Sequence, residues 1–70
     1  MNQIAISTEF IKLDAFLKFA SIVSSGGEAK IRIAEGEVQV NGEVCTMRGK
    51  KIRPGDTVAI GGETFEVVAE

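Results

Sequence analysis

Between Ser24 and Gly42, in SSGGEAKIRIAEGEVQVNG, the hydrophobic period of the chain changes from that of a helix to that of a strand. Ser25, followed three residues on by Glu28, fits a capping box. The hydroxyl accepts an unpaired N–H of the first helical turn, and the carboxylate returns to the cap residue. Ala29 and Ile33 then share one face at i, i+4. The helix is predicted from about Gly26 to Glu35 and stops at Gly36, because glycine takes the left-handed cap conformation at little steric cost. Beyond it, Val38 and Val40 alternate with Glu37 and Gln39, and Asn41-Gly42 supplies a two-residue hairpin turn, since both residues tolerate positive φ. A capped helix delivered directly into a hairpin leaves few folds open.

The flanking sequence narrows them further. Ile4 and Ile6 alternate with polar neighbours, and Phe10-Ile11-Lys12-Leu13 is apolar enough for a strand, so the first dozen residues predict one or two short edge strands. Asp14 is placed to cap a first helix, whose buried stripe is Leu13, Phe16, Leu17 and Ala20. That helix is predicted to end near Ile22 or Val23, with Ser24-Ser25-Gly26-Gly27 as the break. Glu43-Val44 starts the return strand of the hairpin. Arg53-Pro54-Gly55-Asp56 suits a type II turn, and Thr57–Ile60 pairs with Thr64–Val68 around Gly61-Gly62-Glu63. The predicted class is α+β: two short helices packed on a small antiparallel sheet of four to five strands.

Composition excludes several functions. The chain has 70 residues, the length of one domain. It has one cysteine and no histidine, which rules out an internal disulfide and the usual zinc sets. Cys45 is expected as a small, half-buried apolar side chain in a reducing compartment. No apolar run approaches the roughly 18 residues of a membrane span. The first residues lack a basic segment followed by an apolar core, so no secretory leader is expected and the cytoplasm is the expected location. Catalysis has no nucleophile–base pair and no phosphate-loop pattern to support it. Neither an enzyme nor a cofactor is expected.

Net charge is −2, yet the charge is segregated. Residues 46–53 hold Arg48, Lys50, Lys51 and Arg53 with no acid, whereas residues 54–70 hold four acids and no base. A local patch matters more to a polyanion than the total does. Lys51 and Arg53 flank Ile52, so a strand that buries Ile52 turns both charges outward. Phe16 and Phe65 read as core. With four Phe and neither Trp nor Tyr, there are few exposed rings on which a single-stranded nucleic acid could stack.

Four pieces in order carry a resemblance: Leu13-Asp14-x-Phe16-Leu17, Ser25 with Ala29, Ile33-x-x-Gly36-x-Val38-x-Val40-Asn41-Gly42, and Lys51-Ile52-x-x-Gly55-Asp56-x-Val58. They resemble the S-four-type RNA-binding domain, named for a small-subunit ribosomal protein. The overall length, the SGGEAK loop and the RGKK run resemble its short stand-alone bacterial members. The resemblance covers roughly residues 11–60 of a single domain spanning 1–70. It implies an L-shaped helix-loop-helix motif that docks, with the following hairpin, on structured RNA such as ribosomal RNA, a ribosome assembly intermediate or a tRNA-like element. Carried over by position, it marks Lys12, Ser25, Lys30, Asn41 and Lys51.

This chain departs from the pattern twice. Gly26 stands where many members have arginine, a lost phosphate contact that the N–H groups of a glycine loop, Gly26-Gly27, can offset. Ile31 and Arg32 stand in exchanged order. The expected RNA-binding set is Lys12, Lys18, Ser25, Gly26, Gly27, Lys30, Arg32, Asn41, Arg48, Lys50, Lys51 and Arg53, with Lys30 and Arg32 facing out. Each has a plainer reading: a solvated loop for the basic run, capping alone for Ser25 to Glu28, a turn for Asn41. The alternative function is a protein adaptor on a ribosomal or replication complex, working through the acidic C-terminal half. A monomer without a membrane partner is expected.

Overall fold

The structure, a computed structural model, describes residues 2–70. In chain order the elements are β1 (Asn2–Ile6), β2 (Ile11–Lys12), α1 (Leu13–Phe19), α2 (Gly26–Ala34), β3 (Val38–Val40), β4 (Glu43–Val44), β5 (Lys51–Ile52), β6 (Thr57–Ile60) and β7 (Glu63–Ala69). The α+β class and the two helices are as predicted. The sheet differs. Five strands run in the order β1-β7-β6-β3-β4, and β1 lies parallel to β7, so the sheet is mixed rather than antiparallel. The remaining strands, β2 and β5, form a separate two-stranded antiparallel ribbon.

Strand register builds the core face. Val38 lies opposite Ile60, Val40 opposite Val58, and Val58 opposite Phe65. Opposed residues of an antiparallel pair share a face, so these apolar side chains form one surface. Leu13, Phe16 and Leu17 of α1 and Ala29 and Ile33 of α2 cover it, and Ile52 of the ribbon joins the same buried cluster. Among the described residues the core contains no polar or charged side chain.

Helix α1 ends earlier than its hydrophobic run suggests, at Phe19 rather than near Ile22 or Val23. Ser21 takes a left-handed φ of 61°. Its N–H donates to the carbonyl of Lys18 at 3.1 Å, and the Ile22 N–H donates to Leu17 at 2.9 Å, a Schellman closure built on serine instead of glycine. The apolar pair that seemed to extend the helix serves the return of the chain, with Val23 buried and Ile22 packed partly against the core. The start also differs. Lys12 occupies the cap position, and Asp14 lies in the first turn, where its Oδ1 accepts the Ala15 N–H at 2.8 Å.

Helix α2 follows its predicted caps with one shift. Ser25 Oγ accepts the Glu28 N–H at 3.2 Å. Glu28 Oε1 reaches one residue further back than predicted, accepting the N–H of Ser24 at 3.0 Å and its hydroxyl at 3.1 Å. These bonds, led by the Ser24 N–H, hold the Glu28 carboxyl below the usual range. At the other end Gly36, at φ 77°, closes the helix as expected.

Candidate nucleic-acid interface

The basic run is fastened to the first helix through its backbone. The Leu13 N–H donates to the carbonyl of Lys50 at 2.9 Å, and the Asp14 N–H to that of Arg48 at 3.1 Å. These are helix-start donors that have no partner within the helix, and here the Arg48–Lys50 loop supplies their acceptors. The Lys50 N–H in turn donates to Met47 at 3.1 Å, which closes the loop into a turn. The main chain of Arg48 to Lys50 is therefore held against the start of α1, with its side chains exposed.

The ribbon then aligns the charges. Ile11 pairs with Ile52, and Lys12 lies directly opposite Lys51. Ile52 is fully buried, while Lys51 and Arg53 on either side are exposed, as the alternation predicted. Phe10, half-buried, lies one step beyond this register, and Lys51 and Arg53 both approach its ring. The turn after Arg53 closes through the Arg53 carbonyl, which accepts the Asp56 N–H at 3.0 Å, and through Asp56 Oδ2, which accepts the Arg53 N–H at 2.8 Å. Those contacts occupy the backbone of Arg53 and leave its guanidinium to the surface.

Lys12, Arg48, Lys50, Lys51 and Arg53 are thus gathered around one ribbon and one helix start. Among the described residues the ion pair found is Arg32 with Glu37, and none of these five takes part in one. Like charges directly opposite one another in a ribbon destabilise it, and a cation at the positive end of a helix is unfavourable too. Lys12 has both disadvantages. A phosphate oxygen placed between Lys12 and Lys51 would offset both.

The other expected residues lie elsewhere or are already engaged. Lys18 is exposed in the last turn of α1, beside a shallow depression that it shares with Ser24 and Glu28. Ser25 spends its hydroxyl on the cap. Gly26 and Gly27 are exposed at the start of α2, where the Glu28 carboxylate already holds the Ser24 N–H. Lys30 is exposed. Arg32 departs from the expected outward pose: its Nε donates to Glu37 Oε1 at 3.2 Å, and its guanidinium lies against Gly61. Residues two apart on a helix point to opposite sides, so Lys30 and Arg32 do not serve one ligand. The exchanged order has a structural reading: the Arg32 stem lies along the protein while Ile31 is 60% exposed.

Asn41 is committed to the fold. Its Oδ1 accepts the Thr57 N–H at 2.9 Å, its Nδ2 donates to Asp56 Oδ1 at 3.1 Å, and its N–H donates to the Thr57 carbonyl at 2.9 Å. One Nδ2 hydrogen remains. The sequence places Phe10 in an edge strand without a role for its ring, although the alternation of Phe10-x-Lys12 against Lys51-x-Arg53 is a usable signal once the two segments pair.

Two packed helices, a small sheet and a basic ribbon at a helix start define a compact α+β module with a cationic face. A sequence model of the S4 domain matches residues 4–68, and the chain belongs to that family. It is 48% identical to the probable ribosome maturation protein RlbA of Bacillus subtilis (strain 168), over 96% of each chain. It is 44% identical to the putative RNA-binding protein YbcJ of Escherichia coli (strain K12), over 84% of each. A solution structure of YbcJ from Escherichia coli, described as revealing an alfaL motif involved in RNA binding, superposes with a TM-score of 0.75 at 38% identity, covering 99% of this chain and 89% of that one.

Proposed function

We propose that this protein binds structured RNA without catalysis, in the cytoplasm. The target we favour is ribosomal RNA, free or in an assembly intermediate, or a tRNA-like element. The primary contacts are phosphates held by Lys12, Arg48, Lys50, Lys51 and Arg53, with Lys18 and Lys30 as outlying cations. The observation that carries this reading is Lys12 opposite Lys51 at the start of α1, an arrangement that weakens the free fold and suits an anion. Membership of the S4 domain family supports RNA as that anion, and the relative named for ribosome maturation supports a ribosomal source.

Lys12→Asp tests the reading. It places an acid at the helix start and opposite Lys51, so it stabilises the protein by about 0.5–1.5 kcal/mol while RNA binding collapses. With five phosphate contacts, log affinity of the wild type falls with log salt at a slope of about −4 to −5. A variant that keeps full affinity for tRNA and fragmented ribosomal RNA, or a salt slope near zero, defeats the proposal. The adaptor reading, in which the acidic C-terminal half is the working surface, is separated by Lys50→Glu with Lys51→Glu: co-purifying RNA is lost under the RNA reading and retained under the other.

A further inference from the structure

A groove of about 500 Å³ opens between the β3–β4 hairpin and the loop that carries the basic run. Its size lies within the range of small-molecule sites. Met47, 68% exposed, and the half-buried Cys45 give it apolar walls on the face that Glu43 shares with Val40, whereas Val44 turns to the other face. Asn41, Glu43 and Thr46 supply polar atoms, and Lys50 stands on the side nearest the ribbon. The groove is firmly framed. The Cys45 N–H donates to the Val38 carbonyl at 2.9 Å, and the turn from Met47 to Lys50 is closed and tied through Lys50 to the start of α1.

We propose that this groove receives one unpaired nucleobase bearing an exocyclic amine, extruded from the RNA whose backbone lies on the basic ribbon. This rests on the RNA reading above and narrows its target to folded RNA with a bulged or looped-out nucleotide. A planar heterocycle uses both kinds of lining, its faces against Cys45 and the Met47 thioether and its edge toward Glu43 and Thr46. A phosphate does not fit, because Glu43 repels it. Lys50 instead meets the phosphate next to the extruded base, which joins groove and ribbon into one footprint. The Glu43 carboxylate accepts hydrogen bonds and donates none. Adenine, cytosine and guanine offer it an amine, whereas uracil offers only its N3–H, set between two carbonyl oxygens that the carboxylate repels, so uracil is disfavoured.

The test uses a fully paired RNA hairpin, the same hairpin with a single extruded adenosine, and one with a single extruded uridine. Extruding an already unpaired base costs little, and removing its faces from water against apolar side chains is favourable, so the adenosine hairpin binds about tenfold tighter than the paired one. Uridine recovers little of that gain. Met47→Gln, at an exposed position, removes the preference for the bulge and leaves binding of the paired hairpin unchanged. Glu43→Gln, which can donate as well as accept, brings adenosine and uridine level. Cys45, the one cysteine of the chain, lines the groove, so its alkylation by a maleimide slows with the adenosine hairpin and not with the paired one. Equal binding of all three hairpins with Cys45 unprotected overturns the proposal and leaves the RNA reading standing. Binding of none of them, at low salt, overturns both.

Discussion

The Nζ of Lys51 lies 4.9 Å from the centre of the Phe10 ring. The guanidinium carbon of Arg53 lies 5.8 Å from the same centre, so one ring underlies two cations of the basic ribbon. Such contacts contribute roughly 0.5–1 kcal/mol each at exposed sites, and they restrict long side chains that otherwise sample many rotamers. Under the proposed RNA-binding role, Phe10 acts by positioning these two residues. Phe10→Leu, which keeps an apolar side chain at the site, is expected to lower RNA affinity about threefold to tenfold, the loss of that orientation at both cations. Ring-current shifts of the Lys51 and Arg53 side-chain protons disappear in the same variant. Unchanged affinity in a folded Phe10→Leu protein rules the positioning role out.

Asn41 joins two turns that are distant in sequence. Its side chain bonds Asp56 and Thr57 while its backbone sits at φ 52°, one of two non-glycine residues at positive φ among those described. Asn41→Gly keeps the backbone freedom and loses the side-chain bonds, costing about 1–2 kcal/mol. Asn41→Ala adds the strain of a left-handed alanine and costs about 2–3 kcal/mol. Urea unfolding ranks the two. RNA affinity of the folded fraction changes little in either, because Asn41 is chiefly a structural tie. A large, selective loss of affinity in Asn41→Gly assigns it a contact role instead.

Ser21 is the other such residue, and it explains where the reading of α1 went long. The helix stops where Ser21 turns left-handed, yet the letters Ala20-Ser21-Ile22-Val23 contain neither glycine nor proline to announce it. The stop is imposed by tertiary packing, which draws Val23 into the core. Ser21→Gly relieves the backbone and is expected to stabilise the protein by roughly 0.5–1 kcal/mol, the scale of single glycine and alanine backbone effects. That raises Tm by about 3–6 °C for a domain of this size. A calorimetric scan in which Ser21→Gly melts no higher than wild type shows that the serine side chain contributes more than its backbone costs.

The legible parts of the fold share a local cause. Gly36, Asn41-Gly42 and the Arg53–Asp56 turn each carry their own conformational signal, and each forms as read. The parallel pairing of β1 with β7 has no such signal, because Ile4 and Ile6 alternate identically in either direction and the partner lies at the far end of the chain. The ribbon was legible by halves. Burial of Ile52 between two outward cations follows from alternation. That Lys12 faces Lys51, and that Arg48 and Lys50 cap α1 through their carbonyls, depends on contacts between backbone atoms, which side-chain pattern does not encode. The placement of Arg32 failed for a related reason: its partner Glu37 and its neighbour Gly61 lie in later connections, before β3 and between β6 and β7.

Glu28 couples the capping of α2 to pH. Its carboxylate accepts two bonds from Ser24, and the backbone bond is the larger cause of its lowered pKa, followed by the Ser24 hydroxyl and a smaller favourable influence of Arg32. A carboxyl depressed in the folded state releases its proton more readily there than in the unfolded chain. Its contribution is therefore fully present above the ordinary glutamate pKa and is lost as pH falls through the lowered folded value. Glu28→Gln keeps an oxygen that can accept from Ser24 but removes the titration. Thermal melts through the acid range should show wild type more stable than Glu28→Gln at neutral pH, with the gap closing as pH falls through the carboxylate range. A gap that stays constant, or widens in acid, places the source of the acid sensitivity in another carboxylate.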